Sequence, residues 1–257
     1  MAISLVKTSV IFIIVFVFLQ CKAFGAPNQS IQLIAGLSKP PFILSGDKGM
    51  QIEIVKAAFA VSNYDVSFMH LPLSLHMGVY KRRNIDGLIT LTSKTNEVGL
   101  YLSKPYIDYQ NVVVTLAKNN FYITQLSDLA KLRVAAFQNA GLFLGDDYAN
   151  IFTGSNGYIE IAGQKSQLAL LFTDRVDAII MDVNIFKYML VELQNRKKYL
   201  NIYSKDVVIY PLFEPNNYVA GFNTNELKTL FDKGITEIKG TGQYQKIVDS
   251  YLKPHPL

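Results

Sequence analysis

The stretch DRVDAIIMD, residues 174–182, contains a basic turn followed by an aliphatic run that ends in Asp182. The earlier stretch RNIDGLI, residues 83–89, has the same order of a basic residue, an aliphatic residue, an Asp, a small residue and two aliphatic residues. An apolar run of this length after a turn is typical of a buried strand. The repeated pattern therefore predicts two similar α/β units within the chain.

Segments with strand patterns alternate with segments of helical periodicity along the rest of the chain. The strand-like segments are residues 31–35, 66–69, 85–91, 112–116 and 134–137. Apolar residues recur at the spacing of one helix face in residues 50–60, 168–172, 185–193 and 227–238. Strands that alternate with helices predict an α/β fold with mostly parallel sheets flanked by helices.

The first residues have the pattern of a secretion signal. Lys7 precedes an unbroken apolar run over residues 10–19, which is shorter than the roughly 20 residues of a membrane-spanning helix. Such a run is typical of a signal-peptide core, and Ala23 and Gly25 provide the small residues of a cleavage site. We therefore expect residues 1–25 to be a cleaved signal peptide and the mature protein to be periplasmic. An uncleaved membrane anchor is the alternative.

Cys21 is the only cysteine of the chain. Lipidation at Cys21 is a weaker hypothesis, because Gln20 occupies the position where lipidation normally requires a small residue. Cleavage after Gly25 would leave a mature chain without cysteine and therefore without a disulfide. That property is compatible with a bacterial periplasm but does not require one.

The charge and the motif content argue against several function classes. The formal net charge of +5 falls to +3 without Lys7 and Lys22, which is too small to predict a nucleic-acid partner. The three histidines are scattered, so no metal site is predicted. No nucleophile motif or phosphate-binding loop occurs in the sequence, so neither catalysis nor a cofactor is predicted. We expect the protein to act as a monomer.

Polar side chains follow both members of the repeated strand pattern. Thr90, Thr92, Ser93 and Thr95 lie at or after the end of the first strand, and Asp182 ends the second. In open α/β sheets, ligands bind beyond the carboxyl ends of the strands. Two facing units would therefore place hydroxyl groups opposite a carboxylate, which suits a small polar ligand with a positive group. Alternatively, Asp182 only caps the next helix and the hydroxyls only satisfy loop amides.

Several segments, in order along the chain, together resemble one known family. They are residues 39–42 (KPPF), 49–54 (GMQIEI), 85–97, 102–106 (LSKPY), 126–136 and 175–182. This combination resembles the type 3 periplasmic solute-binding proteins, which are the amino-acid-binding components of bacterial ABC importers. The resemblance covers roughly residues 30–252.

The resemblance implies a two-lobed clamshell of the periplasmic-binding-protein fold, type II-like, that closes around its ligand. Lobe 1 would comprise residues 26–115 and 216–257, and lobe 2 would comprise residues 116–215. The chain would cross between the lobes near residues 116–119 and 207–216, and these two segments would form the hinge.

The resemblance also implies the residues that contact a ligand. Phe42 would be the aromatic residue that covers the ligand; alternatively, after two prolines, it belongs to the core. Asp182 would receive the α-ammonium group of an amino acid. The loop with Thr90, Thr92, Ser93 and Thr95 would bind the α-carboxylate through hydrogen bonds.

Two positions depart from the family pattern in the expected carboxylate site. The family places an Arg where this chain has Val98, and a Thr or Ser where it has Ala140. A hydroxyl does not replace the bidentate pairing of Arg with a carboxylate. Lys94 is a candidate for a compensating charge. We therefore expect an amine, a modified amino acid or a neutral polar solute rather than an ordinary α-amino acid.

The sequence thus predicts an extracytoplasmic solute-binding protein that delivers a small polar, amino-acid-like or amine ligand to an ABC permease or a sensor. One alternative is an orphan module that has lost tight ligand binding and docks a protein partner. Another is a dehydratase on the same fold, which would need Glu97 or Asp182 as a general base. A deep polar cleft with an accessible Asp182 favours solute binding, whereas a cleft filled by its own side chains favours the orphan module.

Overall fold

The computed structural model describes residues 29–92, 95, 99–196, 198 and 200–253. The strands are β1 (Gln29–Ala35), β2 (Tyr64–His70), β3 (Gly87–Thr92), β4 (Tyr101–Leu102), β5 (Ile107–Tyr109), β6 (Asn111–Leu116), β7 (Val134–Phe137), β8 (Tyr158–Ile161), β9 (Ala178–Asp182), β10 (Val207–Tyr210) and β11 (Asn216–Phe222). The α-helices are α1 (Met50–Ala60), α2 (His76–Arg82), α3 (Ala140–Leu144), α4 (Asp146–Phe152), α5 (Gln164–Phe172), α6 (Val183–Gln194), α7 (Leu200–Tyr203), α8 (Asn225–Gly240) and α9 (Gln243–Leu252). Within these residues, no helix combines the length and the apolar character that a membrane crossing requires.

The strands form two sheets, each of which is the centre of one lobe. In the first sheet, the order is β2-β1-β3-β11-β4, and β5 also pairs with β11. In the second sheet, the order is β10-β6-β9-β7-β8. Helices α1 and α8 pack together beside the first sheet, and α5 and α6 contact strands of the second. The two-lobed α/β fold that the sequence predicted is therefore present.

Both sheets are mixed rather than mostly parallel, which corrects the prediction from the sequence. Strand β1 is parallel to β2 and β3, and β7 is parallel to β8 and β9. The antiparallel pairs involve β11 in the first sheet and β6 in the second. At the start of β6, Asn111 pairs with Asp182 at the end of β9. Because β6 begins opposite the end of β9, the two strands run antiparallel.

The repeated Asp residues have the same role in the two sheets. Asp86 Oδ2 accepts a hydrogen bond of 2.8 Å from the backbone N–H of Gln32, and its own N–H donates to the Gln32 carbonyl at 3.0 Å. Asp177 Oδ2 accepts from the N–H of Arg133 at 2.9 Å, and its N–H donates to the Arg133 carbonyl at 2.8 Å. Each Asp thus joins the turn before one strand to the neighbouring parallel strand, which accounts for the repeated sequence pattern.

The chain changes sheets at two places that lie side by side. It passes from β5 to β6 at Gln110, and it returns between β10 and β11 through residues 211–215. The Gln110 side chain donates a hydrogen bond to the carbonyl of Phe213 and so joins the two crossings. Residues 111–115, which the family resemblance assigns to lobe 1, pair within the second sheet. The lobe boundaries remain a prediction, and we propose Gln110 and residues 211–215 as the hinge.

Helices α1 and α8 approach each other closely at Gly234. A Cβ atom at this position would lie 2.0 Å from the carbonyl oxygen of Ala58 in α1. The position therefore has no room for any side chain. Phe59 and Phe231, one helical turn or less away, pack with ring centroids 5.5 Å apart and fill the adjacent core.

Candidate functional site

Two adjoining cavities lie at the ends of the strands where the lobes meet. The first, here called the cleft cavity, has a volume of about 270 Å³ and is lined by both lobes. The second, here called the side cavity, has a volume of about 280 Å³ and is lined by the first lobe. Lys39, Leu73, Tyr109 and Tyr218 line both. The second lobe contributes Asn111, Phe137, Phe143, Gln164, Asp182 and Ile185 to the cleft cavity.

Asp182 lies at the wall of the cleft cavity and is only 4% exposed. Its Oδ1 accepts hydrogen bonds from the N–H groups of Asn184 (2.9 Å) and Ile185 (3.0 Å) and so caps helix α6. Its Oδ2 accepts from the N–H of Gln110, at the first crossing, at 2.9 Å. The capping role that the sequence analysis left open is therefore present, and contact with a ligand remains a prediction.

Burial controls the charge of Asp182. Loss of hydration raises the pKa of this carboxyl to about 6, against the lowering effects of its three backbone donors and of the charge of Lys39. The carboxylate is therefore mostly ionised above pH 7, although it is almost hidden from water. A ligand cation in the cleft cavity would find this charge poorly screened.

Phe42 does not reach the cavity surface, which corrects its predicted position as a cover for the ligand. Its side chain is 0% exposed, and its ring stacks under that of Tyr109 with centroids 3.8 Å apart and an angle of 17° between the rings. Tyr109 lines both cavities instead, because it lies between Phe42 and the open space.

A buried polar network holds Tyr109 in place. The Tyr109 hydroxyl donates to Gln51 Oε1 at 3.3 Å, and Gln51 Nε2 donates to the carbonyl of Ile89 at 3.0 Å and to the Tyr106 hydroxyl at 2.6 Å. The Tyr106 hydroxyl in turn donates to the Ile89 carbonyl. The ring of Tyr218 lies 4.7 Å from that of Tyr109. These contacts hold the rings of Tyr109 and Tyr218 in place without a ligand.

Lys39 places a positive charge beside the ring of Tyr109. Its Nζ lies 4.2 Å from the centroid of the Tyr109 ring, within the range of a cation–π interaction. Loss of hydration lowers the pKa of this ammonium, and the negative charge of Asp182 acts in the opposite direction. Lys39 belongs to the KPPF segment of the family resemblance, but its sequence pattern did not predict a position in the cleft.

The predicted hydroxyl cluster divides in the structure. Thr90 lines the side cavity, and its Oγ1 is buried without a hydrogen-bond partner among the described residues. Thr92 is exposed, and its carbonyl accepts from the N–H of the half-buried Thr95 at 3.0 Å. Ser93 lies outside the described residues, so its contacts stay a prediction. Of the cluster members that the structure describes, Thr90 is therefore the one that lines a cavity.

The expected carboxylate site is only partly described. Lys94, Glu97 and Val98 lie outside the described residues. Ala140 begins helix α3 and is 0% exposed, so it presents no hydroxyl and no surface to the cleft. In the part of the chain that the structure describes, no three His, Cys, Asp or Glu side chains are grouped closely enough to hold a metal ion.

The aromatic lining of the cleft cavity was not predicted from the sequence. Besides Tyr109, three rings line it: Phe137 at the end of β7, Phe143 in α3 and Tyr218 in β11. Phe143 is 70% exposed, which is unusual for a Phe. These residues come from four separate segments, and no local pattern in the sequence connects them.

The chain belongs to the family of bacterial extracellular solute-binding proteins, family 3, whose model matches residues 33–254. The sequence resemblance is therefore confirmed. No curated protein sequence matches the chain significantly. The family is described as one of extracellular solute-binding proteins and the solved structures below are binding proteins, so the dehydratase hypothesis gains no support.

Solved structures share the two-lobed fold at low sequence identity. The substrate-binding protein of a polar amino acid ABC uptake transporter from Streptococcus thermophilus superimposes with a TM-score of 0.67 at 17% identity, over 88% of this chain and 86% of that one. The second substrate-binding domain of GlnP from Lactococcus lactis, in an open conformation, gives 0.65 at 17% identity, over 90% and 99%. A histidine kinase sensor domain with similarity to periplasmic binding proteins gives 0.57 at 18% identity, over 88% and 97%. These similarities establish the fold.

Proposed function

We propose that the protein captures a small polar, amino-acid-like or amine ligand between its two lobes in the periplasm, after removal of residues 1–25. The observation that supports this proposal most directly is the cleft cavity, to which both lobes contribute side chains. A ligand in this space would touch Asp182 on one side and Tyr109 on the other, so its binding would favour closure of the lobes.

The size of the site favours a small ligand. The cleft cavity of about 270 Å³ is at the lower limit of typical ligand pockets, which begin at about 300 Å³. Its lining combines aromatic rings with the amides of Asn111, Gln164 and Asn216 and the charges of Lys39 and Asp182. Such a mixture favours a compact molecule that carries charge and has an apolar surface.

Delivery to a membrane partner is the second part of the proposal. Related folds are found in ABC transporter binding proteins and in a histidine kinase sensor domain. We propose that the closed, ligand-bound monomer is recognised by an ABC permease or a sensor of this kind. No nucleic-acid partner is proposed.

The orphan module remains the second candidate because Lys39 occupies space in the cleft. Its ammonium group lies over the face of Tyr109 that a ligand would use. If this arrangement is permanent, the cleft accepts no solute and the surface of the protein docks a protein partner instead.

A thermal-shift screen tests the proposal against this candidate. The purified protein would first be unfolded and refolded to remove any bound solute, and then mixed with amino acids, polyamines, betaines and small organic acids. A ligand at 100 times its dissociation constant should stabilise the fold by about 2.7 kcal/mol, or roughly 5–10 °C in Tm. If no compound raises Tm, and mass spectrometry of the untreated protein finds no bound solute, the solute-binding proposal is wrong and the orphan module is favoured.

Binding of a cationic ligand should depend on pH through Asp182. The cation requires the ionised carboxylate, whereas this group binds a proton below its pKa of about 6. The affinity should therefore be constant above pH 7 and fall about tenfold for each pH unit below 6. Calorimetric titrations at pH 5, 6, 7 and 8 measure this effect. An affinity that does not change across this range would show that the cation does not contact Asp182.

A further inference from the structure

The lining of the cleft cavity indicates which kind of cation it accepts. The rings of Tyr109, Phe137, Phe143 and Tyr218 face one space with the carboxylate of Asp182. An aromatic ring attracts a cation through its negative face, and this attraction is strongest where water is excluded. Several rings around one buried carboxylate favour a cation that has an apolar surface.

Lys39 marks where this cation binds. Its ammonium lies 4.2 Å from the centre of the Tyr109 ring, whose other face is covered by Phe42. The outer face of Tyr109 is thus a cation site that the protein occupies with its own side chain. A ligand cation on this face must displace the Lys39 ammonium.

Asp182 has little capacity left for hydrogen bonds. A carboxylate has about four acceptor sites, and the N–H groups of Gln110, Asn184 and Ile185 use three of them. A primary ammonium group has three N–H donors and needs several acceptors. An alkylated ammonium group needs few or none, and Asp182 still attracts it by charge. The carboxylate therefore favours an alkylated cation.

The first lobe has donors available for an anionic group. Thr90 Oγ1 is buried in the side cavity without a partner among the described residues. A buried hydroxyl in this state costs free energy, and a ligand acceptor would remove that cost. Lys39 lines the same cavity and would be free to turn toward it once displaced from Tyr109.

The charges that the described residues bring to the two cavities balance without a ligand. Among the described residues that line them, Lys39 is the positive side chain and Asp182 the negative one. A simple cation would leave an uncompensated positive charge beside Lys39, and a simple anion would leave a negative charge beside Asp182. A zwitterion keeps the balance and pairs each charge with its opposite.

We propose, on the basis of the solute-binding function above, that the cleft selects a zwitterion with an alkylated ammonium group and a carboxylate. The ammonium group replaces that of Lys39 over Tyr109 and faces Tyr218 and Asp182. The displaced Lys39 and the hydroxyl of Thr90 bind the carboxylate. Lys39, in the loop after β1, therefore takes the role of the arginine that the family has at the position of Val98.

Matched compounds test the ammonium part of this proposal by isothermal titration calorimetry. The compounds are 4-aminobutanoate, its N,N,N-trimethyl derivative and trimethylglycine, together with common amino acids. We expect at least one trimethylated compound to bind roughly tenfold more tightly than the amine or amino acid of the same skeleton. If unmethylated amino acids bind more tightly, the preference for an alkylated ammonium group is wrong while solute binding stands. If no compound of any class binds, the proposed function fails as well.

The variant Lys39→Met tests the role of Lys39, because it keeps the length of the side chain and removes its charge. Binding of the trimethylated zwitterion should weaken roughly tenfold, since its carboxylate loses a charged donor. Binding of butyltrimethylammonium, which has no carboxylate, should become tighter because the competing cation is gone. If both compounds bind more tightly, Lys39 only obstructs the cleft and the proposal is overturned.

Two further variants serve as controls. Lys56→Met removes a second lysine that lies over a ring, at 5.9 Å from the centroid of Phe68 and outside the cleft lining, and should change neither affinity. Thr90→Val keeps the shape of the side chain and should weaken the binding of the zwitterion by roughly threefold or more. It should not change the affinity for butyltrimethylammonium. Tm values at or above that of the wild type would show that all three variants are folded. Equal losses for both compounds in Thr90→Val would contradict the carboxylate site.

Discussion

Asp182→Asn should weaken the binding of a cationic ligand by at least about thirtyfold while the protein stays folded. Removal of one partner of a buried charge pair typically costs about 2–5 kcal/mol. Asp182 lines the cleft cavity and is almost hidden from water. Calorimetry with the best ligand of the screen measures the loss. A variant that binds within threefold of the wild type would exclude Asp182 from the ligand site.

The comparison of Asp182→Asn with Asp182→Ala separates the charge from the helix cap. The Asn side chain keeps one oxygen for the N–H groups of Asn184 and Ile185, whereas Ala keeps none. Loss of an N-cap costs about 0.5–2 kcal/mol. The Gln110 N–H loses its acceptor in both variants, because the amide nitrogen of Asn is a donor. We therefore expect Asp182→Ala to be less stable than Asp182→Asn in urea denaturation, although neither should bind the ligand well.

The pH dependence of stability has a defined sign at this residue. The pKa of Asp182 is raised to about 6 in the folded protein. It lies near 3.9 in an unfolded chain, so ionisation weakens the folded state as pH rises between about 4 and 6. Asn cannot ionise. The loss in free energy of unfolding caused by Asp182→Asn, relative to the wild type, should therefore be smaller at pH 7 than at pH 4. The opposite trend would contradict the raised pKa.

Gly234→Ala should strongly destabilise the fold, although it adds only one methyl group. This methyl group would lie 2.0 Å from the Ala58 carbonyl oxygen, which belongs to the backbone of α1 and has no alternative rotamer. The two helices would have to separate, and the first core would lose packing around Phe59 and Phe231. We expect a loss of about 3 kcal/mol or more, which corresponds to roughly 6–12 °C in Tm.

Gly240→Ala provides the matched control on the same helix. A Cβ atom at Gly240 would meet no atom within 4 Å. Replacement of a helical Gly by Ala stabilises by roughly 0.5–1 kcal/mol where no contact interferes. Thermal denaturation of both variants therefore should show shifts of opposite sign. Equal shifts would mean that α8 and α1 are not in close contact at Gly234.

The two α/β units were predictable because their signal is local. Asp86 and Asp177 each stand between a basic turn and an aliphatic run, and each makes the same pair of backbone hydrogen bonds in the structure. Both units need the same pair of hydrogen bonds at this turn, so the same short sequence pattern occurs in both. The antiparallel direction of β11 was not predictable from a local pattern, because β11 joins the first sheet only after the whole second lobe has intervened.

The candidate site was predictable where it follows from strand ends and not where it depends on distant packing. Asp182 lies at the end of β9 and Thr90 near the end of β3, as the repeated pattern indicated. Phe42 follows two prolines in a loop, and only Tyr109, far along the chain, decides that it is buried. Lys39 likewise becomes a cleft residue only because its ammonium lies over the same ring.

The central position of β11 in the first sheet has a consequence for biosynthesis. Strand β11 pairs with β3, β4 and β5, and helices α8 and α9 follow it. The second sheet, by contrast, is made from one continuous stretch between β6 and β10. Because chains emerge from the ribosome and the export channel N-terminus first, we expect the second lobe to fold while the first is still incomplete. Strands β3, β4 and β5 wait longest for their shared partner β11, and loss of the last few dozen residues would leave them without it.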